Sequence, residues 1–173
     1  MKASIVYLCL AAALLLAADD AKTKPADFAP KDGRFTVQMP GEPKEQTNKV
    51  NTAIGPIDVH MFLSAPDPNT AYIVGYSDYP EEMMKKSESD KILDGARDGA
   101  VKNVNGKLDG EKKITIDKHP GRDFQIATEH FEGRNRMYLV NARLYQVMVV
   151  GSKEFVTGKD AERFLDSFKL TDK

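Results

Sequence analysis

The sequence predicts an α+β domain: one antiparallel β-sheet of about six to seven strands with two main helices packed on it. Three observations carry that reading. Arg134 to Val150 contains two apolar runs of strand length, RNRMYLV and RLYQVMVV, separated only by Asn141 and Ala142, the spacing of a β-hairpin. Elsewhere apolar residues alternate in short runs bounded by Gly, Pro and Asn, as strands do. The period lengthens to three and four residues in two places, around Ile92–Val104 and Ala161–Phe168, which marks the helices. Strands joined by short turns run antiparallel, so the order strands, helix, strands, helix lays helices on a sheet.

The hairpin is central. With Asn141 and Ala142 as the turn, Val140 faces Arg143, Leu139 faces Leu144, Tyr138 faces Tyr145 and Met137 faces Gln146. One face then carries Tyr138, Val140, Tyr145, Val147 and Val149, and the other Met137, Leu139, Leu144, Met148 and Val150. Two apolar faces require cover on both sides.

In chain order, Asp19 to Lys31 mixes charges with Pro25 and Pro30 and reads as a solvated linker, with Phe28 able to dock on the domain. The domain begins at Asp32. Phe35, Val37 and Met39 alternate with polar residues up to Pro40-Gly41. Lys44–Thr52 is polar and suits an edge strand; beyond Gly55-Pro56, Ile57, Val59, Met61 and Leu63 alternate with Asp58, His60 and Phe62 in the second arm of a hairpin. Ala71–Asp78 follows, with Tyr72, Val74 and Tyr76 on one face and Gly75 weakening the strand. A helix begins at Ser87 or Ser89 and stops at Asn105-Gly106. Gly95 and Gly99, which cost up to ~1 kcal/mol each relative to Ala, suggest that its backbone lies close on the sheet. Lys107–Ile116 and Asp123–His130 read as strands about a turn at His119-Pro120-Gly121. Thr157 with Asp160 resembles a helix start, and Ala161, Phe164, Leu165 and Phe168 form its apolar stripe.

The 173 residues describe one domain at 32–173 after a leader at 1–18 and the linker at 19–31. In the leader, Lys2 precedes twelve apolar residues, Ile5–Leu16, and small Ala17-Ala18, the pattern of a cleaved signal peptide. The protein is therefore expected to be exported to the periplasm, cell envelope or medium, touching a membrane only through the leader if that stays uncleaved. Without residues 1–18 the chain has 24 basic and 26 acidic residues, a net charge of −2 spread along its length, which disfavours nucleic acid as a partner. Cys9, the single cysteine, lies in the leader, so the mature chain has neither disulfide nor thiolate chemistry.

The opening DGRFTVQMPGEP, the long middle helix, the hairpin MYLVNARLYQVMVVG and the closing AERFLDSFKL resemble secreted bacterial domains of the PsbP-like fold, a group that includes the photosystem II extrinsic protein and the DcrB and Mog types. The resemblance covers Asp32 to Leu170 and its motifs are structural. It implies an α/β/α sandwich and an accessory or binding role. One departure concerns the hairpin turn, where such hairpins favour Asn-Gly and this chain has Ala142, which disfavours positive φ.

No catalytic signature accompanies the fold. His60, His119 and His130 lack paired ligand spacing, Val74-Gly75-Tyr76-Ser77-Asp78 is not a nucleophile elbow, and no Gly-rich phosphate loop occurs. Neither a cofactor nor a metal is expected. Arg136 and Arg143, on one face with Tyr138 and Tyr145, are the candidate binding residues: they could grip an anion or a partner carboxylate, or lie as solvated charge on the sheet rim. The expected role is an exported, non-enzymatic binding or accessory domain, whose partner is a protein or small anionic ligand of the envelope. The alternative is a small extracytoplasmic hydrolase, marked by a pocket that converges His60 or His130 with a carboxylate and a serine.

Overall fold

The computed structural model describes residues 24–52 and 55–171; the leader expected at 1–18 lies outside them. Strand β1, Pro25–Phe28, pairs with β2, Phe35–Pro40, which also pairs with the short final strand. Residues 25–28 thus belong to the fold and not to a linker: Phe28 packs its ring 5.0 Å from that of Phe62. The edge strand β3, Lys44–Thr52, follows, then β4, Gly55–Asp67, and β5, Thr70–Asp78. A short helix α1, Glu81–Lys86, precedes α2, Ser89–Asn103. Next come β6, Lys107–Ile116, β7, His119–Ala127, β8, Glu132–Val140, and β9, Arg143–Gly151. Helices α3, Lys153–Val156, and α4, Lys159–Ser167, lead to β10, Lys169–Leu170.

Seven strands form one antiparallel sheet in the order β3-β4-β5-β9-β8-β7-β6, with β9 at its centre. The hairpin register is the expected one, Val140 opposite Arg143 and Tyr138 opposite Tyr145. Asn141 alone in its turn takes a positive φ, 53°, so Ala142 escapes the conformation that alanine resists. The β6–β7 turn corrects the sequence reading. Asp117 and Lys118, at φ 44° and 72°, make it, and His119-Pro120-Gly121 lies inside β7. Gly121 is required there, since a Cβ would stand 2.4 Å from the Met137 carbonyl oxygen.

The two faces are covered unequally. Over the first lie β2, α3 and α4, so that Phe35, Val37, Met39, Phe164, Leu165 and Phe168 close on Phe62, Tyr72, Val74, Tyr138, Tyr145, Val147 and Val149. This layer is part small sheet and part helix, and with α2 on the other face the sheet lies between helices, as expected. Over the second lies α2, whose Ile92 and Leu93 pack on Phe124, Ile126, Met137, Leu139 and Leu144. These floor residues belong to β7, β8 and the start of β9. Gly95 and Gly99 are not the close-packing residues they seemed, because a Cβ at either would meet nothing within 4 Å.

Candidate functional site

The hairpin arginines come first, because the sequence singles them out. Arg136, Arg143, Tyr138 and Tyr145 do share one face, but the tertiary structure uses them internally. Arg136 donates from Nε to Asp123 (3.1 Å), from Nη1 to Asp166 (2.6 Å) and from Nη2 to Glu162 (2.7 Å). Arg134 beside it donates to both oxygens of Asp123 (3.1 and 2.9 Å) and to Glu162. Burial pushes the Asp123 carboxyl up, but the hydrogen bonds and charge of Arg134 and the charge of Arg136 outweigh it and hold the group below its ordinary range.

Arg143 sits at the hairpin end. Its Nε and Nη2 clasp the two carboxylate oxygens of Asp78 at 2.6 Å each, while Nη1 donates to the carbonyls of Asp32 (2.7 Å) and Gly33 (3.2 Å). Its guanidinium also stacks 4.3 Å above the Tyr76 ring. Tyr145 donates to the same Gly33 carbonyl at 3.0 Å, and Tyr138 stacks on Phe168 with centroids 5.8 Å apart. The open anion grip and the solvated rim are therefore both corrected. These donors are spent on the protein's own acceptors, and the two arginines tie α4 and the N-terminal segment to the sheet.

The concave site lies on the second face. Register runs across it from Phe124 through Asn135, Met148 and Ile73 to Leu63. Helix α2 covers the Phe124 end, and the Leu63 end is left open. Met61, Leu63, Ile73 and Val150, each half-buried, floor a groove of about 620 Å³, with Phe131 and Gln46 in its walls. Met61 and Leu63 face this groove, whereas Phe62 between them is buried in the core on the first face.

Three chain ends shape the mouth. In the β4–β5 turn the Asp67 carboxylate accepts the Asn69 N–H (2.8 Å) and the Thr70 hydroxyl. In the β7–β8 turn the Thr128 hydroxyl oxygen accepts the N–H groups of His130 (3.2 Å) and Phe131 (3.0 Å) and donates to the Phe131 carbonyl (2.8 Å). That turn holds His130 and Phe131 at the groove wall. At the start of α3, Ser152 Oγ accepts the Phe155 N–H at 3.3 Å as a helix cap, and Lys153 follows at the rim. The groove thus gathers His130, Glu132 and Ser152, yet the serine oxygen is engaged by the helix. His60 stands on the opposite face, stacked 4.7 Å from Tyr76 with its Nδ1 3.0 Å from Thr47 Oγ1. Among the described residues no cluster of His, Cys, Asp and Glu is arranged to hold a metal ion, and no helix is long and apolar enough to cross a membrane.

No family model matches the sequence, and no curated protein matches it. In shape the chain is similar to the solution structure of cyanobacterial PsbP (CyanoP) from Synechocystis, with TM-score 0.58 and 9% identity over 90% of this chain and 97% of that one. It also overlays on 90% of a crystal structure of a protein of unknown function from Pseudomonas aeruginosa, covering 80% of this chain at 11% identity and TM-score 0.45. The fold is PsbP-like, as the sequence resemblance implied.

Proposed function

We propose that this PsbP-like domain is an exported, non-enzymatic binding or accessory module, and that its site is the groove on the half-covered face. The ligand that suits it is a small amphipathic molecule of the cell envelope, apolar along its body and anionic at one end. One observation carries the reading: α2 covers only the β7–β8 side of an apolar sheet face, leaving a concave apolar floor of ligand-site size. Polar groups line its walls and mouth. Both Asp67 oxygens are occupied there and one Glu132 oxygen is shut from solvent, whereas Lys153 Nζ makes no ion pair among the described residues. The Lys153 ammonium, at a mouth that also holds the Asp67 and Glu132 carboxylates, can pair an anionic head. Export rests on the leader sequence. The hydrolase reading is disfavoured because Ser152 is spent as a helix cap.

Titration of the mature chain with a dansyl-labelled fatty acid tests this, with saturable fluorescence enhancement expected. Ile73→Trp, which fills the floor, should abolish the signal, and Lys153→Glu should weaken it while circular dichroism stays unchanged. No saturable binding by the wild type, or equal binding by folded Ile73→Trp, would remove the groove from consideration.

A further inference from the structure

The seven-stranded sheet ends in two edges of opposite character. Edge β6 is interrupted by a bulge between Asp109 and Glu111, with Gly110 at φ 73° and exposed charge at Glu111, Lys112 and Lys113. Such features keep other strands away. Edge β3 also carries exposed charge, of both signs, but has no bulge. Its nine residues pair with β4 without a break, from Lys44 opposite Leu63 to Thr52 opposite Gly55, and contain no proline. Lys44, Glu45, Gln46, Thr47 and Lys49 are exposed.

The charge order of this strand is self-complementary. Glu45, Thr47 and Lys49 alternate along one face, with Glu45 and Lys49 two residues to either side of Thr47. In an antiparallel pair about a two-fold axis at Thr47, Glu45 meets the partner's Lys49, Lys49 meets the partner's Glu45, and the two threonines face each other. On the other face Lys44 meets the partner's Val50 and Gln46 meets the partner's Asn48, so no like charges are opposed. Parallel pairing would set Glu45 against the partner's Glu45 and Lys49 against the partner's Lys49. The only ion pair Lys49 makes among the described residues is with Asp58 at 3.6 Å, and both side chains are more than half exposed, so the ammonium can serve a second carboxylate.

We propose that two copies of this chain associate through β3, antiparallel and centred on Thr47, joining their sheets into one. The contact is isologous and closes as a dimer. Its axis stands perpendicular to the sheet, so the two grooves open on the same side, and Gln46, which lines each groove, lies beside the seam.

Sedimentation equilibrium of the mature chain should show a reversible monomer–dimer equilibrium. Glu45→Lys alone, or Lys49→Glu alone, should weaken the dimer roughly tenfold, because both symmetric pairs become repulsive together. The double exchange Glu45→Lys with Lys49→Glu should restore it, which no general loss of folding could mimic. The mature chain is cysteine-free, so Thr47→Cys should give a disulfide-linked dimer under mild oxidation. A monomer at every concentration tested would overturn the proposal, as would a dimer indifferent to the single reversals or failure of the double exchange to restore association.

Discussion

Arg122 and Asp123 are consecutive in β7 yet point to opposite faces of the sheet, and each holds a helix there. Arg122 reaches Asp90 (2.7 Å) and Asp94 (3.1 Å) on α2, and Glu111 (3.1 Å) on β6. Asp123 receives Arg134 and Arg136, which continue to Glu162 and Asp166 on α4. Strand alternation thus turns two adjacent opposite charges into anchors for two layers. The anchors differ in burial. Asp123 and both its arginines are at least nine-tenths buried, whereas the helical partners of Arg122 are about half exposed.

Removing Asp123 should therefore cost more than removing Arg122. Asp123→Ala leaves two buried guanidiniums short of a counter-charge, a loss of ~3–5 kcal/mol against a total stability of ~5–15. Arg122→Ala releases carboxylates that water can solvate and should cost ~1–2 kcal/mol. Urea denaturation of the two variants measures the difference.

Acid should weaken the same anchors. Asp123 and Asp90 both have folded pKa values below the ordinary 3.8, Asp90 at about 2 through its hydrogen bonds to Lys113 and Arg122. A carboxylate whose folded pKa is depressed contributes stability that is present above its unfolded pKa and lost as pH falls through the folded one. For Asp90 the loss is expected between 3.8 and about 2, and for Asp123 below 3.8. Denaturation midpoints followed through that range should fall less steeply for Asp123→Asn than for wild type.

Gly95→Ala and Gly99→Ala should each stabilise the protein. Both positions are helical with open space around them, so alanine recovers up to ~1 kcal/mol of helix propensity at no steric cost. Calorimetry should show melting temperatures higher by ~2–4 °C per substitution. A drop would mean that a close approach to α2 exists in the folded protein.

Leu139→Asp or Leu144→Asp should unfold the domain. The two leucines face each other at the centre of the α2 layer, 2% and 1% exposed. An unpaired buried charge exceeds the available stability margin. Loss of cooperative melting by circular dichroism is the expected readout.

Arg143→Ala should loosen the N-terminal segment without unfolding the sheet. The variant loses the bonds to the Asp32 and Gly33 carbonyls and the clasp on Asp78. Because Asp78 is mostly exposed, global stability should fall by only ~1 kcal/mol. Amide hydrogen exchange should speed up at residues 25–34, with β8 and β9 still protected.

How far the molecule is legible from its sequence depends on the range of the force involved. The hairpin register, the α2 span and the α4 stripe follow from alternation and helical periodicity, properties of neighbouring residues. Misreadings arise where local patterns are ambiguous. Pro25–Phe28 reads as linker because a four-residue strand is too short to show a period, and it becomes β1 only by pairing with β2. His119-Pro120-Gly121 carries strong turn residues, but the positive φ values fall on Asp117 and Lys118, which complete a two-residue connection between β6 and β7.

The sequence by itself determined an α+β chain, the order of its longer strands and two main helices, and a hairpin with two apolar faces. Which apolar residues become core and which become groove was decided only in three dimensions. Met61, Leu63 and Ile73 have the same chemistry as Met137, Leu139 and Leu144, and differ only in that α2 lies over the second set and not the first. Likewise Arg136 and Arg143 have the composition of a binding pair until Asp123, Asp78 and α4 arrive from distant parts of the chain to neutralise them. Periodicity is written between neighbours; coverage and charge compensation depend on what the rest of the chain brings to the same place.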